Sequence, residues 1–349
     1  MLEVTFLPGL GRVVADEVTE LLAPPRPPQP VPGRDDALRL GHTGALRDVL
    51  GLRTAVAAFV VLHFDVPRPR SLTSGDHLAR IVDAMYGSLR AAGSSSFRFE
   101  AAGADSAVFA RMAALLHEAT GLSYEPEHGE LVLRVVRGLP AAGADPGWDV
   151  LVRIGPRPLS ARRWREVDYP GAANATIAAA MARLAGVRAE DRVLNLMCGS
   201  GTLLIERLLA GPVAAAAAAL DDEPLALDAT AANLRAAGLR NVRLEQADAT
   251  SPEWLAGVFG DDRFDLLLAD PPWGTLHGSH AQAEHVHAGL LRAARAVAAP
   301  GARLAVLTHE VKVMERVVAD AAGLWTPVAP PLRVFAKGHH PRIWLLRAG

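Results

Sequence analysis

Residues 270–274 read Asp-Pro-Pro-Trp-Gly and follow the apolar run Phe264-Asp265-Leu266-Leu267-Leu268-Ala269. A carboxylate beside a rigid backbone carbonyl can accept both N–H bonds of a planar NH2 group. That localises a lone pair otherwise delocalised into a ring or an amide, and aims it at an electrophilic carbon. Asp270 and the Pro271 carbonyl are the expected acceptors. Pro271 and Pro272 stiffen the backbone, and Trp273 is placed to stack on a planar acceptor. These four are the candidate catalytic residues.

A second junction lies upstream. Val193 to Leu196 reads as a strand, and Met197-Cys198-Gly199-Ser200-Gly201-Thr202 as the turn into a helix. Glycines let backbone approach a ligand closely, and a helix start offers free N–H groups. The turn lacks the three-glycine spacing of dinucleotide sites and the Gly-Lys-Ser/Thr of phosphate loops. About twenty residues on, a strand ends in Asp221-Asp222, where nucleotide-binding folds keep a ribose-binding acid; a solvated helix start is the plainer alternative. Asp248 follows the next strand and would face an adenine amino group, unless it is an ordinary strand-end acid. Met197, Cys198, Gly199, Gly201, Thr202, Asp221, Asp222, Asp248 and Asp270 therefore form the candidate cofactor set. Taken with the tetrapeptide, they imply methyl transfer from S-adenosyl-L-methionine (SAM) to an exocyclic or amide nitrogen, with no metal required.

Two other groupings carry weaker signals. Arg157, Arg162, Arg163 and Arg165 cluster around Trp164 and could grip phosphates, or could form a solvated face. His277, His280, His285 and His287 match no standard zinc spacing, and no metal is expected.

The elements that must position these residues follow from pattern. Strand–helix alternation from about residue 170 marks a parallel doubly wound sheet, so the fold class is α/β. Strands are expected at Arg192 to Leu196, Val213 to Leu220, Val242 to Gln246, Phe264 to Ala269 and Arg303 to Thr308. The second of these is alanine-rich, but its length between turn residues leaves little room for a helix, so a buried strand is expected. The first half reads as α+β, with one module over residues 1–65 and another over 66–160, ahead of the sheet domain at 161–349. Half the residues are hydrophobic and the net charge is −2, a globular composition that excludes a globally basic nucleic-acid binder. The lone cysteine, Cys198, permits no internal disulfide and fits a reducing, cytoplasmic setting. The N-terminus is not expected to be a signal peptide. The longest apolar tract, Pro212 to Leu220, is too short to span a bilayer.

The order of these motifs resembles the THUMP-domain RNA methyltransferases, particularly the tRNA guanine-N2 enzymes. The resemblance rests on Met197 to Thr202, Asp270 to Gly274, and Asn174-Ala175-Thr176-Ile177-Ala178-Ala179-Ala180, and loosely on Phe97 to Glu100, Glu130 to Val136 and Val150 to Ile154. It implies a Rossmann-like SAM domain preceded by a ferredoxin-like module and a THUMP-like RNA-binding module. It further implies N2-methylation of a tRNA guanosine flipped into the Asp-Pro-Pro-Trp pocket, with the N-terminal region gripping the acceptor end. The partner is then tRNA, with no membrane, and a monomer is the working expectation. Asn195 stands where the family commonly has an acid that helps hold the amino group of SAM, so it joins the cofactor set. Leu196 replaces the family's proline, and Trp273 its frequent tyrosine. Adenine-N6 or protein-glutamine methylation would suit the same tetrapeptide, and a non-catalytic RNA-binding module is the third reading.

Overall fold

Residues with β-branched and aromatic side chains carry the first half of the chain into strands. The computed structural model describes residues 1–139, 145–272, 280–336 and 338–349. Two units divide the chain: Met1–Phe6 with Val14–Ala161, and Leu7–Val13 with Arg162–Gly349.

The first unit contains β1 (Leu2–Thr5), β2 (Gln29–Pro30), β3 (Ala37–Leu40), β4 (Ala57–Phe64), β5 (Ser96–Ala101), β6 (Ser123–Tyr124), β7 (Leu131–Arg137) and β8 (Trp148–Arg153). Helix α1 (Gly11–Leu22) starts in the second unit and ends in the first; α2 (Gly75–Ala91) and α3 (Ala107–Thr120) lie wholly in the first. The strands form one sheet, ordered β2-β3-β1-β4-β8-β7-β5-β6. Residues 1–65 and 66–160 thus share a sheet, joined where Phe59 to Phe64 pair antiparallel with Arg153 to Trp148. Ile81, Met85, Met112 and Leu116 from the two helices are buried with Phe97, Leu131, Leu133, Val150 and Val152. Full burial of each such side chain contributes about 1.5–3 kcal/mol. Gly121, at φ +73°, ends α3 in the left-handed conformation that glycine adopts without cost.

The second unit alternates strand and helix as its sequence pattern predicts. After α4 (Ala175–Ala185) come β9 (Arg192–Leu196), α5 (Thr202–Leu209), β10 (Ala216–Asp221), α6 (Pro224–Ala236), β11 (Val242–Gln246), α7 (Pro252–Phe259), β12 (Phe264–Ala269), α8 (His280–Ala296) and β13 (Ala298–Thr308). Helix α9 (Val311–Asp320), β14 (Trp325–Pro327), β15 (Leu332–Arg333) and β16 (Arg342–Ala348) complete it. The sheet order is β11-β10-β9-β12-β13-β16-β14, with β15 on β16. The first five neighbours are parallel and β16 is antiparallel. This is a Rossmann-like doubly wound sheet. The chain winds from β9 to β11 in one direction and from β12 to β13 in the other, so the switch point falls between β9 and β12, where such sheets bind ligands.

The alanine tract does pair as a strand, but only from Ala216; Val213 is exposed. Strands flank β10 on both sides, so backbone pairing overrides the helical preference of alanine. Leu290, Leu291 and Ala294 of α8 and Val313, Met314 and Val317 of α9 pack with Leu267, Leu304 and Val306 into one apolar cluster. Among the described residues, no helix is long and apolar enough to cross a membrane.

Candidate active site

The turn after β9 owes its shape to three left-handed residues: Met197 (φ +50°), Gly199 (φ +53°) and Gly201 (φ +78°). Only Met197 carries a side chain into that conformation, at a cost on the order of 1–3 kcal/mol. The turn is tied on several sides. Cys198 N–H donates to the Leu220 carbonyl at 3.0 Å, Gly201 N–H to Cys198 O at 2.8 Å, and Thr230 Oγ1 to Gly199 O at 2.7 Å. A Cβ on Gly201 would meet Thr230 Cγ2 at 2.9 Å, so the close approach of α6 requires glycine there.

Asp221 closes β10 and accepts the Gly199 N–H at 2.8 Å and the Glu223 N–H at 3.2 Å. Burial, more than its carboxylate neighbour Asp222, raises its pKa above the ordinary value. Asp248 follows β11, and its Oδ1 accepts the Thr250 N–H at 2.8 Å and the Thr250 hydroxyl at 2.6 Å. Each acid therefore keeps one strand end in a fixed turn. Cys198 is buried, and burial pushes its thiol pKa up to about 12. It stays protonated at neutral pH and is no nucleophile.

These groups share one cleft of about 1100 Å³ within the second unit. Its walls include Met197, Cys198, Gly199, Ser200, Thr202, Asp221, Asp222, Asp248, Asp270, Pro271 and Pro272. Asp168, Asp221, Asp222, Glu223, Asp228, Asp248 and Asp270 contribute carboxylates, and the described lining includes no Arg, Lys or His. A one-signed lining with low-dielectric walls attracts a cation and repels a pyrophosphate.

Several expected residues lie elsewhere. Asn195 is fully buried beneath the turn rather than in the cleft wall; its Nδ2 donates to Leu196 O at 3.1 Å and Leu268 O at 3.2 Å. Gly201 faces Thr230 and likewise does not line the cleft. Trp273, Gly274 and His277 lie outside the described residues, as does the side chain of His280.

The arginine cluster divides. Arg162 pairs with the buried Glu206 at 2.8 Å, and Trp164 Nε1 donates to the same carboxylate at 3.3 Å. Arg165 Nη2 donates to Ala173 O at 2.9 Å and Thr202 Oγ1 at 2.8 Å. Internal acceptors hold the Arg162 guanidinium and Nη2 of the half-buried Arg165. Arg157 and Arg163 are exposed. His287 is buried as a neutral imidazole: its Nδ1–H donates to Ala283 O at 2.7 Å and its Nε2 accepts from Thr308 Oγ1. Burial lowers its pKa. Among the described residues no cluster could hold a metal ion.

The sequence reading missed one whole wall. Val167, Asp168, Tyr169, Pro170, Gly171, Ala172 and Ala173 line the cleft as an irregular strap before α4, and Gln282 and Val286 line it from α8. Tyr169 stands 3.8 Å from where a Gly199 Cβ would lie. Burial and the carboxylates of Asp221, Glu223 and Asp222 raise its pKa. Tyr169-Pro170-Gly171 signals a turn but carries no periodicity to place that turn over the cofactor loop.

Comparison with known proteins gives a consistent family. The model of the RMKL-like methyltransferase domain matches residues 162–328. A tRNA (guanine(6)-N2)-methyltransferase of Thermus thermophilus is 31% identical over 361 aligned residues, covering 99% of this chain and 98% of that protein. A tRNA (guanine(10)-N2)-dimethyltransferase of Methanothermobacter thermautotrophicus is 31% identical over 110 residues, 32% of this chain and 30% of that protein. The crystal structure of TrmN from Thermus thermophilus superposes with a TM-score of 0.74 at 27% identity, covering 100% of this chain and 99% of that one.

Proposed function

Because the chain belongs to the family of tRNA guanine-N2 methyltransferases, SAM-dependent enzymes, we propose that it methylates N2 of guanosine 6 in tRNA. The observation that carries the site assignment is the cleft itself. A glycine turn, two strand-end acids and the Asp270–Pro271 pair meet at the switch point, within a described lining whose charged side chains are all carboxylates. SAM is a sulfonium that also carries an ammonium group, so this lining suits it. The choice of position 6 follows from coverage: the guanine-6 relative matches end to end, whereas the guanine-10 relative matches about a third of the chain.

SAM, when bound, supplies an electrophilic methyl group. The Gly199 turn would take its polar end, Asp221 the two ribose hydroxyls and Asp248 the adenine amino group. Asp270 accepts one N–H of the guanine amine and the Pro271 carbonyl the other, which holds the lone pair toward the methyl group. The Asp270 carboxylate then takes the proton that N2 loses. The guanosine must leave its stack to reach this edge, and Trp273 is the residue assigned to stack on it. The protein's contribution is positioning and electrostatics.

We further assign the grip on the tRNA acceptor end to a ferredoxin-like module at residues 1–65 and a THUMP-like module at 66–160, and assign the enzyme to the cytoplasm as a monomer. Exposed Arg157 and Arg163 are the phosphate contacts in this reading. The lone buried cysteine supports a reducing compartment. Transcripts of one tRNA with guanosine 6 or guanosine 10 replaced singly test the position. Methyl incorporation should vanish only when guanosine 6 is replaced; loss only at position 10 overturns the assignment.

A further inference from the structure

The strap from Val167 to Ala173 has few apolar anchors of its own: Val167, Asp168, Pro170 and Gly171 are all exposed. Yet it forms a wall of the cleft, so something must fix its course. Two polar side chains do so, the fully buried Asn233 and the half-buried Arg165, one near each end. Asn233 on α6 is fully buried. Its Oδ1 accepts the N–H groups of Glu166 and Val167, both at 3.0 Å. Its Nδ2 donates to Val167 O at 3.1 Å and to Ser200 O at 3.2 Å. A single amide thus satisfies three backbone groups at the strap's entry and one in the cofactor turn. At the exit, Arg165 Nη2 donates to Ala173 O and to Thr202 Oγ1, the first residue of α5. Burial lowers the Arg165 pKa, as expected for a guanidinium drawn inside to satisfy acceptors.

Both groups bond the strap on one side and the Met197–Thr202 turn on the other. We infer that Asn233 and Arg165 are positioning residues: a two-point clasp that sets the strap, and Tyr169 with it, against the turn that receives SAM. Neither side chain lines the cleft itself. Their effect falls on cofactor binding, because an ordered wall lowers the conformational cost of closing on the ligand. Loss of a buried amide with four partners leaves those backbone groups unsatisfied, which frees the strap rather than the core sheet.

The inference rests on the SAM reading of the cleft, and the test separates the two. In full-length protein, Asn233→Ala should weaken SAM binding by calorimetry roughly tenfold, in line with two or more lost buried hydrogen bonds. It should raise KM for SAM in parallel, with kcat at saturating SAM within about twofold of wild type. Hydrogen exchange at Glu166 and Val167 should accelerate while α6 and β9 keep their protection. Arg165→Met, which keeps the apolar stem, should give the same split and leave tRNA affinity unchanged. Wild-type SAM affinity in the folded variants overturns the clasp. So does loss of protection across α6 with a lower kcat, which marks a merely structural role, and so does a fall in tRNA affinity for Arg165→Met. If the wild-type protein itself binds no SAM, the cofactor reading falls and the clasp with it.

Discussion

Asp221 sits where backbone hydrogen bonds and burial act on its carboxylate in opposite directions. Asp221 is held by two backbone N–H groups, yet burial dominates and raises its pKa. The raised value has opposite consequences for binding and for stability. In the proposed site the ionised carboxylate would accept the ribose hydroxyls, so SAM affinity should fall as pH drops through the raised pKa. That loss begins above the ordinary carboxylate value of about 4. The free fold, which disfavours the charge, carries that cost at neutral pH and is relieved of it in acid. Calorimetric titration of SAM between pH 7 and pH 4 should show the decline, and Asp221→Asn should flatten it while weakening affinity at neutral pH. An unchanged slope in that variant would remove Asp221 from the ribose site. At this scale the sequence was informative wherever chemistry and chain position coincide: Asp221, Asp248 and Asp270 end their strands and line the cleft together. It was uninformative about side-chain direction. Arg162 and Arg165 have the composition of a phosphate grip, but buried Glu206 and the Ala173 carbonyl draw them inward. Asn195, in register with the cofactor turn, points into the sheet.

Elements bring these residues to one edge through buried polar ties. Asp191, at the entry to β9, is 1% exposed and is paired with Arg207 of α5 at 3.0 Å and with Arg303 of β13. Arg303 also donates to Ala185 O and Gly186 O at the end of α4. One carboxylate therefore ties β9 to α5 and β13, and through Arg303 to the end of α4. Asp191→Ala leaves two buried guanidinium groups without their anion and should cost about 3–5 kcal/mol, read as a lower urea midpoint. A change within 0.5 kcal/mol would show that water or a new acceptor satisfies them. The α7–α8 side depends on a glycine. A Cβ on Gly289 would lie 2.7 Å from Thr250 Cβ and 2.9 Å from Thr250 O, beside Asp248. Gly289→Val should displace α8 from that turn and lower both stability and SAM affinity; calorimetry and thermal unfolding check each. The alternation of strand and helix was legible because each parallel strand is a short apolar run between turn residues. The short α7, whose buried residues are Leu255 and Phe259, and α9, whose buried residues are Val313, Met314, Val317 and Val318, carry little legible signal in the sequence. Their patterns are brief, and tertiary packing rather than propensity stabilises them.

For the whole molecule, the near-neutral net charge confines any hold on tRNA to local patches. Arg157 and Arg163 remain exposed after the internal pairs are accounted for, one in each unit. Replacing either with alanine should raise Kd for tRNA several-fold and reduce the salt dependence of binding by about one ion, leaving SAM affinity unchanged. Equal salt slopes in wild type and variants would place the grip elsewhere. The proposed methyl transfer depends on Asp270 accepting the amine of guanine in this cleft. Incubation with methyl-labelled SAM and tRNA, followed by nucleoside digestion, tests that most directly. Wild-type protein should place the label in N2-methylguanosine, and Asp270→Ala should lower that rate about 100- to 1000-fold while binding SAM within a few-fold of wild type. Label in N6-methyladenosine, or full activity in Asp270→Ala, would contradict it.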